Sequence, residues 1–183
     1  EYVKQIQAGQ KVLMDKSIMN YRICNSIPDG VNVIDAEDPT VVMKAVKNET
    51  QIENLRSAHL KDAVAMCKFM YWLKTNVGKI PMTEISVSDY LASLRAQQEG
   101  FLDLSFATIC GYADHGAIVH YSATPESDKE LKPEGLLLVD SGGHYLGGTT
   151  DITRTIVLGP VSDEMRQMYT LVLKGHLRLA NAR

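Results

Sequence analysis

From Asn48 onward, apolar residues fall at helical spacing. Ile52, Leu55, Ala63, Met66, Met70 and Leu73 line one side of a long amphipathic helix, with Asn48 as N-cap and Gln51 three positions on. Gly78 and Pro81 stop it. Met66, Phe69, Tyr71 and Trp72 read as packing against a sheet rather than lining a cofactor site, and His59 as a structural residue at the core edge. A second helix is expected from Thr83 or Ser86 to Gln98, closed by Gly100, with Asp89, Arg95 and Glu99 on a solvated face. The period then shortens. LSFATICGY and AIVHY, separated by ADHG, read as a hairpin between Phe101 and Tyr121. A polar, proline-punctuated loop follows, whose acids Glu126, Asp128, Glu130 and Glu134 should face solvent. After Pro160, Ser162 caps a last helix with Met165, Met168, Val172, His176 and Leu179 along one stripe, which places His176 in packing rather than chemistry.

Between that loop and the last helix, two β-branched apolar runs, Gly135 to Ser141 and Asp151 to Leu158, flank a link rich in glycine. This is the pattern of a second hairpin with a loose or bulged turn, for which Gly142, Gly143, Gly147 and Gly148 supply conformational freedom. A turn about Tyr145 and Leu146 would set Asp140 opposite Asp151, with Cβ atoms ~4.5–5.5 Å apart. Alternation puts Asp140 on the face of Leu136 and Leu138, which is expected to be covered. Two ionised carboxylates there repel unless a cation lies between them. As hard oxygen donors they suit divalent ions such as manganese, with room for two ions roughly 3.5–4 Å apart. Asp140 ending one strand at a turn and Asp151 capping the next would also account for both residues, without a metal.

The first forty or so residues carry weaker signals. Lys11 to Ile23 fits a helix or a strand and turn, and SIPDG turns the chain before the short apolar run VNVI. The 183 residues are 45% hydrophobic, enough for one core with an appendage, and the net charge of −3 with mixed signs offers no basic footprint. Nucleic acid and membrane are therefore not expected as partners. Cys24, Cys67 and Cys110 are odd in number and unpaired in spacing, so they read as reduced, buried thiols in a cytoplasmic protein. No apolar run approaches a membrane span and no signal pattern opens the chain. The absence of a starting methionine and an ending inside a helical pattern raise the expectation of a fragment of a longer product.

Three stretches carry a family resemblance: GAIVHY at Gly116 to Tyr121, LLLVDSGGHYLGGTTDITRTIVLG, and YTLVLKGH from Tyr169. Together they resemble the Xaa-Pro aminopeptidases (aminopeptidase P), of the superfamily that includes prolidase, methionine aminopeptidase and creatinase. The resemblance implies an α+β architecture, the N-terminal half of a pita-bread fold with antiparallel strands and flanking helices. Residues 44–183 would form the first half of that catalytic domain, and residues 1–43 the tail of a preceding α/β domain with a linker. It further implies two divalent metal ions, usually manganese, with Asp140 on one ion and Asp151 bridging both. A further histidine and two glutamates would lie beyond Arg183, so residues 1–183 alone would hold an incomplete site and be inactive. His120, which its apolar run alone leaves between a core histidine and a reactive one, resembles the family histidine that hydrogen-bonds substrate. Thr153 shares the face of Asp151 and could support a ligand carboxylate, whereas Arg154 points the other way. His115 reads as a polar turn residue and His144 as a loop residue without a family counterpart. The implied substrates are peptides with proline at the second position, and a homodimer is compatible with the family. Prolidase-like dipeptidase activity and a non-catalytic peptide-binding module of the same fold are the competing readings.

Overall fold

The computed structural model describes residues 1–182, which divide into two compact units, one of residues 1–49 and the other from Thr50 onward. In the first unit, Lys11–Met14 (β1) and Asn32–Asp35 (β2) pair in parallel, with the short helices Tyr21–Cys24 (α1) between them and Pro39–Ala45 (α2) after them. The ambiguous stretch from Lys11 is thus strand, then turn, then helix.

The second unit is built on the long helix Glu49–Asn76 (α3) and on Glu84–Ala96 (α4). Helix α4 opens with a capping box. Thr83 Oγ1 accepts from Ser86 N and Ser86 Oγ from Thr83 N, satisfying two donors that the first turn would otherwise leave bare. The core joins Met66, Phe69 and Leu73 of α3, Val87, Leu91 and Leu94 of α4, and the buried strand residues Cys110, Leu137, Val139 and Ile156. The buried stripe of α3 runs through Ala58, Asp62, Ala65, Met66, Phe69 and Leu73. This turns the helix slightly from the expected face: Tyr71 and His59 are exposed, with His59 Nδ1 2.9 Å from the carbonyl of Leu55.

The displaced stripe includes a charge. Asp62 is fully buried and takes a bidentate ion pair from Arg95 (Nε to Oδ1 2.6 Å, Nη2 to Oδ2 3.2 Å), so Arg95 belongs to the interior rather than to a solvated face. Tyr145 closes the group by donating its hydroxyl to Asp62 Oδ1 at 2.9 Å. Burial first, and then Asp62, push the Tyr145 phenol well above its ordinary value, so it remains a donor. Removing one member of such a buried pair typically costs about 3–5 kcal/mol.

Two three-stranded antiparallel sheets complete the unit. Phe101–Leu104 (β3), Gly143–Tyr145 (β6) and Gly148–Thr149 (β7) form one, in the order β3-β6-β7. Ile109–Tyr112 (β4), Leu136–Ser141 (β5) and Ile152–Val157 (β8) form the other, in the order β4-β5-β8. The hairpin expected between Phe101 and Tyr121 does not form. The run LSFATICGY breaks, with β3 pairing to β6 and β4 to β5. AIVHY is not a strand, because the chain turns back at Ala113–Ala117 as a 3-10 helix against β4. A Cβ added at Gly111 would lie 2.8 Å from backbone atoms of His115 and Gly116, a closeness only glycine allows. The last helix, Asp163–Ala180 (α5), is capped by Ser162 Oγ accepting from Met165 N at 3.1 Å. Its stripe, His176 included, is exposed rather than packed. The cysteines are all free: Cys110 is buried, Cys24 half-buried and Cys67 exposed, contrary to the expectation of three buried thiols. Burial, with the charges of Glu84 and Asp128, pushes the Cys110 thiol up to about 12, which leaves it inert.

Candidate metal centre

The glycine-rich hairpin folds with one register throughout. Asp140 pairs with Thr153 and Leu138 with Thr155 in β5–β8, and His144 pairs with Thr149 and Tyr145 with Gly148 in β6–β7. The turn is therefore centred on Leu146 and Gly147, one step later than the expected Tyr145 and Leu146. Two anchors explain the shift: the Tyr145 hydroxyl is tied to Asp62, and Leu146 N donates to the carbonyl of Gly100 at 2.9 Å. Tyr145 is held in its strand and the reversal moves past it.

The shift corrects the expected geometry of the two aspartates. Asp140 faces Thr153 across the sheet, and Asp151 stands one residue before β8, on the diagonal. A two-residue slip preserves which residues share a face, so Asp140 and Thr153 still project together. That face is the less covered one: Leu136, Leu138 and Asp140 are half-buried, while Leu137, Val139 and Ser141 fill the core. At Gly142 the ribbon passes from one sheet to the other. A Cβ there would collide with the Thr150 carbonyl oxygen, so glycine is required where the strands cross most closely.

Asp140, Asp151 and His120 come together. All three line a cavity of about 450 Å³ whose other walls are Phe106, Ala107, Ile109, Tyr121 and Ser122. Asp140 Oδ1 is buried and has no hydrogen-bond partner among the described residues. A carboxylate oxygen withdrawn from water without a partner is costly, and a cation at the cavity would satisfy it. Two carboxylates from one hairpin, one of them already stripped of other bonds, are a donor set suited to hard divalent ions. The set is partial. Among the described residues, no three His, Cys, Asp or Glu side chains converge closely enough to hold an ion. A cavity of similar size, about 470 Å³, lies between α5 and the β5–β8 face, but it is lined largely by apolar residues with Arg166 as its sole charge.

His120 reaches the cavity on an unusual backbone. Its φ of 56° is left-handed, as is the 53° of Ala113, and these two residues close the ends of the segment that leaves β4. Such conformations cost of order 1–3 kcal/mol each and persist only where the surroundings enforce them. The residues next to both, Tyr112 and Tyr121, are held by Glu84, a residue the sequence pattern did not single out. Fully buried at the start of α4, its carboxylate accepts from Tyr112 N (2.7 Å), Tyr121 Oη (2.9 Å) and Lys129 N (3.2 Å), and stands 2.9 and 3.0 Å from His115 Nδ1. His115, expected as a plain turn residue, is half-buried in this network and packs on the Tyr121 ring at 4.5 Å. The start of α4 was expected at Thr83 or Ser86, but nothing local showed that Glu84 turns inward.

The other expected residues lie apart. Thr153 does not line the cavity, though it is the cross-strand partner of Asp140. Arg154 is exposed on the opposite face, and His144 is exposed with Nδ1 2.9 Å from Thr149 Oγ1.

Comparison with known proteins places the chain in a family. Residues 53–183 match the model of metallopeptidase family M24. Aminopeptidase P2 of Arabidopsis thaliana is 40% identical over 156 residues, covering 85% of this chain and 22% of that protein. Xaa-Pro aminopeptidase 2 of Mus musculus is 37% identical over 179 residues, covering 97% of this chain and 27% of that protein. The crystal structure of an X-prolyl aminopeptidase from Caenorhabditis elegans, described as a cytosolic enzyme with a di-nuclear active site, superposes with a TM-score of 0.84. It is 33% identical, and the match covers 94% of this chain and 28% of that one. The mixed arrangement of helices and antiparallel sheets is that of the pita-bread aminopeptidases, while the chain spans roughly a quarter of the length of the relatives it matches.

Proposed function

Since the chain belongs to metallopeptidase family M24, we propose that the whole protein is a metal-dependent aminopeptidase that hydrolyses the bond between an N-terminal residue and a following proline. The observation that carries this reading is the buried, unpartnered Asp140 oxygen in a cavity shared with Asp151 and His120. In this reading Asp140 and Asp151 hold two divalent ions, taken as manganese, with further ligands from outside the described residues. When bound, such ions act as Lewis acids on a carbonyl and make water ionisable near neutral pH. Thr153, beside Asp140 on the sheet, is suited to orient that carboxylate through its hydroxyl.

His120 is the group of this chain that meets substrate. A neutral imidazole can donate its ring N–H to the carbonyl oxygen of the scissile amide as negative charge develops there, or take a proton from the attacking water and, as imidazolium, pass it to the leaving nitrogen. Its exposure within the cavity leaves the ring free to do so, while Phe106, Ala107 and Ile109 form an uncharged wall against which a pyrrolidine ring can pack. A cytoplasmic location agrees with the Caenorhabditis elegans neighbour, and no helix among the described residues is long and apolar enough to cross a membrane.

The test is a pair of tripeptides that differ only in proline or alanine at the second position, with an Xaa-Pro dipeptide alongside, assayed with the whole protein and added manganese. The proline peptide is expected to be cleaved after its first residue and the alanine peptide far more slowly. Equal cleavage of the two, or cleavage of Xaa-Pro dipeptides alone, would contradict the assignment.

A further inference from the structure

We propose that Glu84 is a positioning residue for His120, holding closed the loop that presents the imidazole to the cavity. The inference rests on the reading of His120 given above and extends it to a carboxylate that does not line the cavity.

The segment Ala113–His120 leaves the end of β4 and returns to it, with a left-handed residue at each end. Glu84 grips both ends. One oxygen takes the N–H of Tyr112, immediately before Ala113, and the other takes the hydroxyl of Tyr121, immediately after His120. The middle of the loop is held too, because His115 Nδ1 lies against both oxygens, and an ionised carboxylate only accepts, so Nδ1 carries the proton. Within the loop, Ile118 N donates to the carbonyl of His115 at 3.1 Å, and Tyr121 N to that of Ile118 at 3.2 Å. These short links carry the anchoring of His115 and Tyr121 to the residue between them. Glu84 is itself fixed as the first residue of α4, where the helix dipole favours its charge and its own N–H donates to the carbonyl of Lys129 at 3.1 Å.

A neutral amide cannot replace this carboxylate. With four donors around it, glutamine in either orientation turns its NH₂ group toward a backbone N–H, that of Tyr112 or that of Lys129. The loop then loses a tether and the strained backbone at His120 can relax, moving the imidazole from its place. Because Glu84 does not touch the cavity, the loss should fall on turnover rather than on substrate or metal binding.

The experiment is a double-mutant cycle in the whole protein with Glu84→Gln, His120→Ala and the double variant. Glu84→Gln is expected to lower kcat by roughly 10–100-fold, with KM and bound metal little changed, since displacement of a reacting group by about an ångström costs on that order. In the His120→Ala background the same substitution should have little further effect, because it acts only through a side chain already removed. An equal loss in both backgrounds, or wild-type kcat in Glu84→Gln, overturns the inference. If Glu84→Gln does not fold, Tyr121→Phe is read in the same cycle, since it deletes one tether and leaves the carboxylate and its backbone contacts in place. Wild-type kcat in His120→Ala alone refutes the reading of His120 itself and the positioning role with it. A defect in His120→Ala with additive behaviour refutes only the role of Glu84.

Discussion

Asp151→Asn in the whole protein is expected to abolish peptidase activity and to lower bound metal at the same time. In the proposed centre Asp151 serves both ions, so one substitution removes charge from each, and an amide is a poor replacement among hard-cation ligands. The fold should survive. Asp151 is exposed and lies outside the β8 ladder, and among the described residues no hydrogen bond of the sheet depends on its side chain. Metal analysis and a thermal unfolding curve on the same preparation separate the two effects. Full metal occupancy with near-normal turnover would refute the assignment, and a collapse in unfolding temperature of the metal-free protein would assign Asp151 to structure instead.

His120→Ala should behave differently, cutting kcat by ~10²–10⁴-fold while leaving metal content largely intact, as expected for an acid, base or oxyanion partner. Alanine keeps the Cβ that makes the left-handed backbone costly, so the substitution removes the ring without relieving that strain, and the fold is expected to survive. Metal analysis beside steady-state kinetics reads both quantities. Loss of metal together with activity would make His120 a ligand rather than a partner of the substrate.

What the sequence made legible was whatever depends on period and on local punctuation. The long run of α3, the existence of α4 and both strands of the glycine-rich hairpin follow from spacing, glycines and alternation. The register slipped by one step of the turn because Tyr145 is tethered to Asp62, 83 positions away in sequence, and no local pattern reports such a contact. Buried charge was illegible for the same reason. Arg95 looked solvated because a charge on a helix usually is, yet its partner 33 residues earlier takes it into the core. AIVHY has the composition of a strand, and its left-handed histidine carries no glycine to advertise it. The contacts that hold that segment converge on Glu84, which takes donors from four separate residues distant in sequence.

The central claim is that the cavity between the hairpin aspartates and His120 is the metal centre. The most direct measurement is anomalous X-ray scattering at the manganese absorption edge from crystals of the whole protein grown with manganese. The account predicts two neighbouring peaks in contact with the carboxylates of Asp140 and Asp151, one of them against the oxygen that has no other partner, with the His120 ring close by but unbonded to either. Peaks elsewhere in the molecule, or an empty cavity in crystals of active protein, would contradict it.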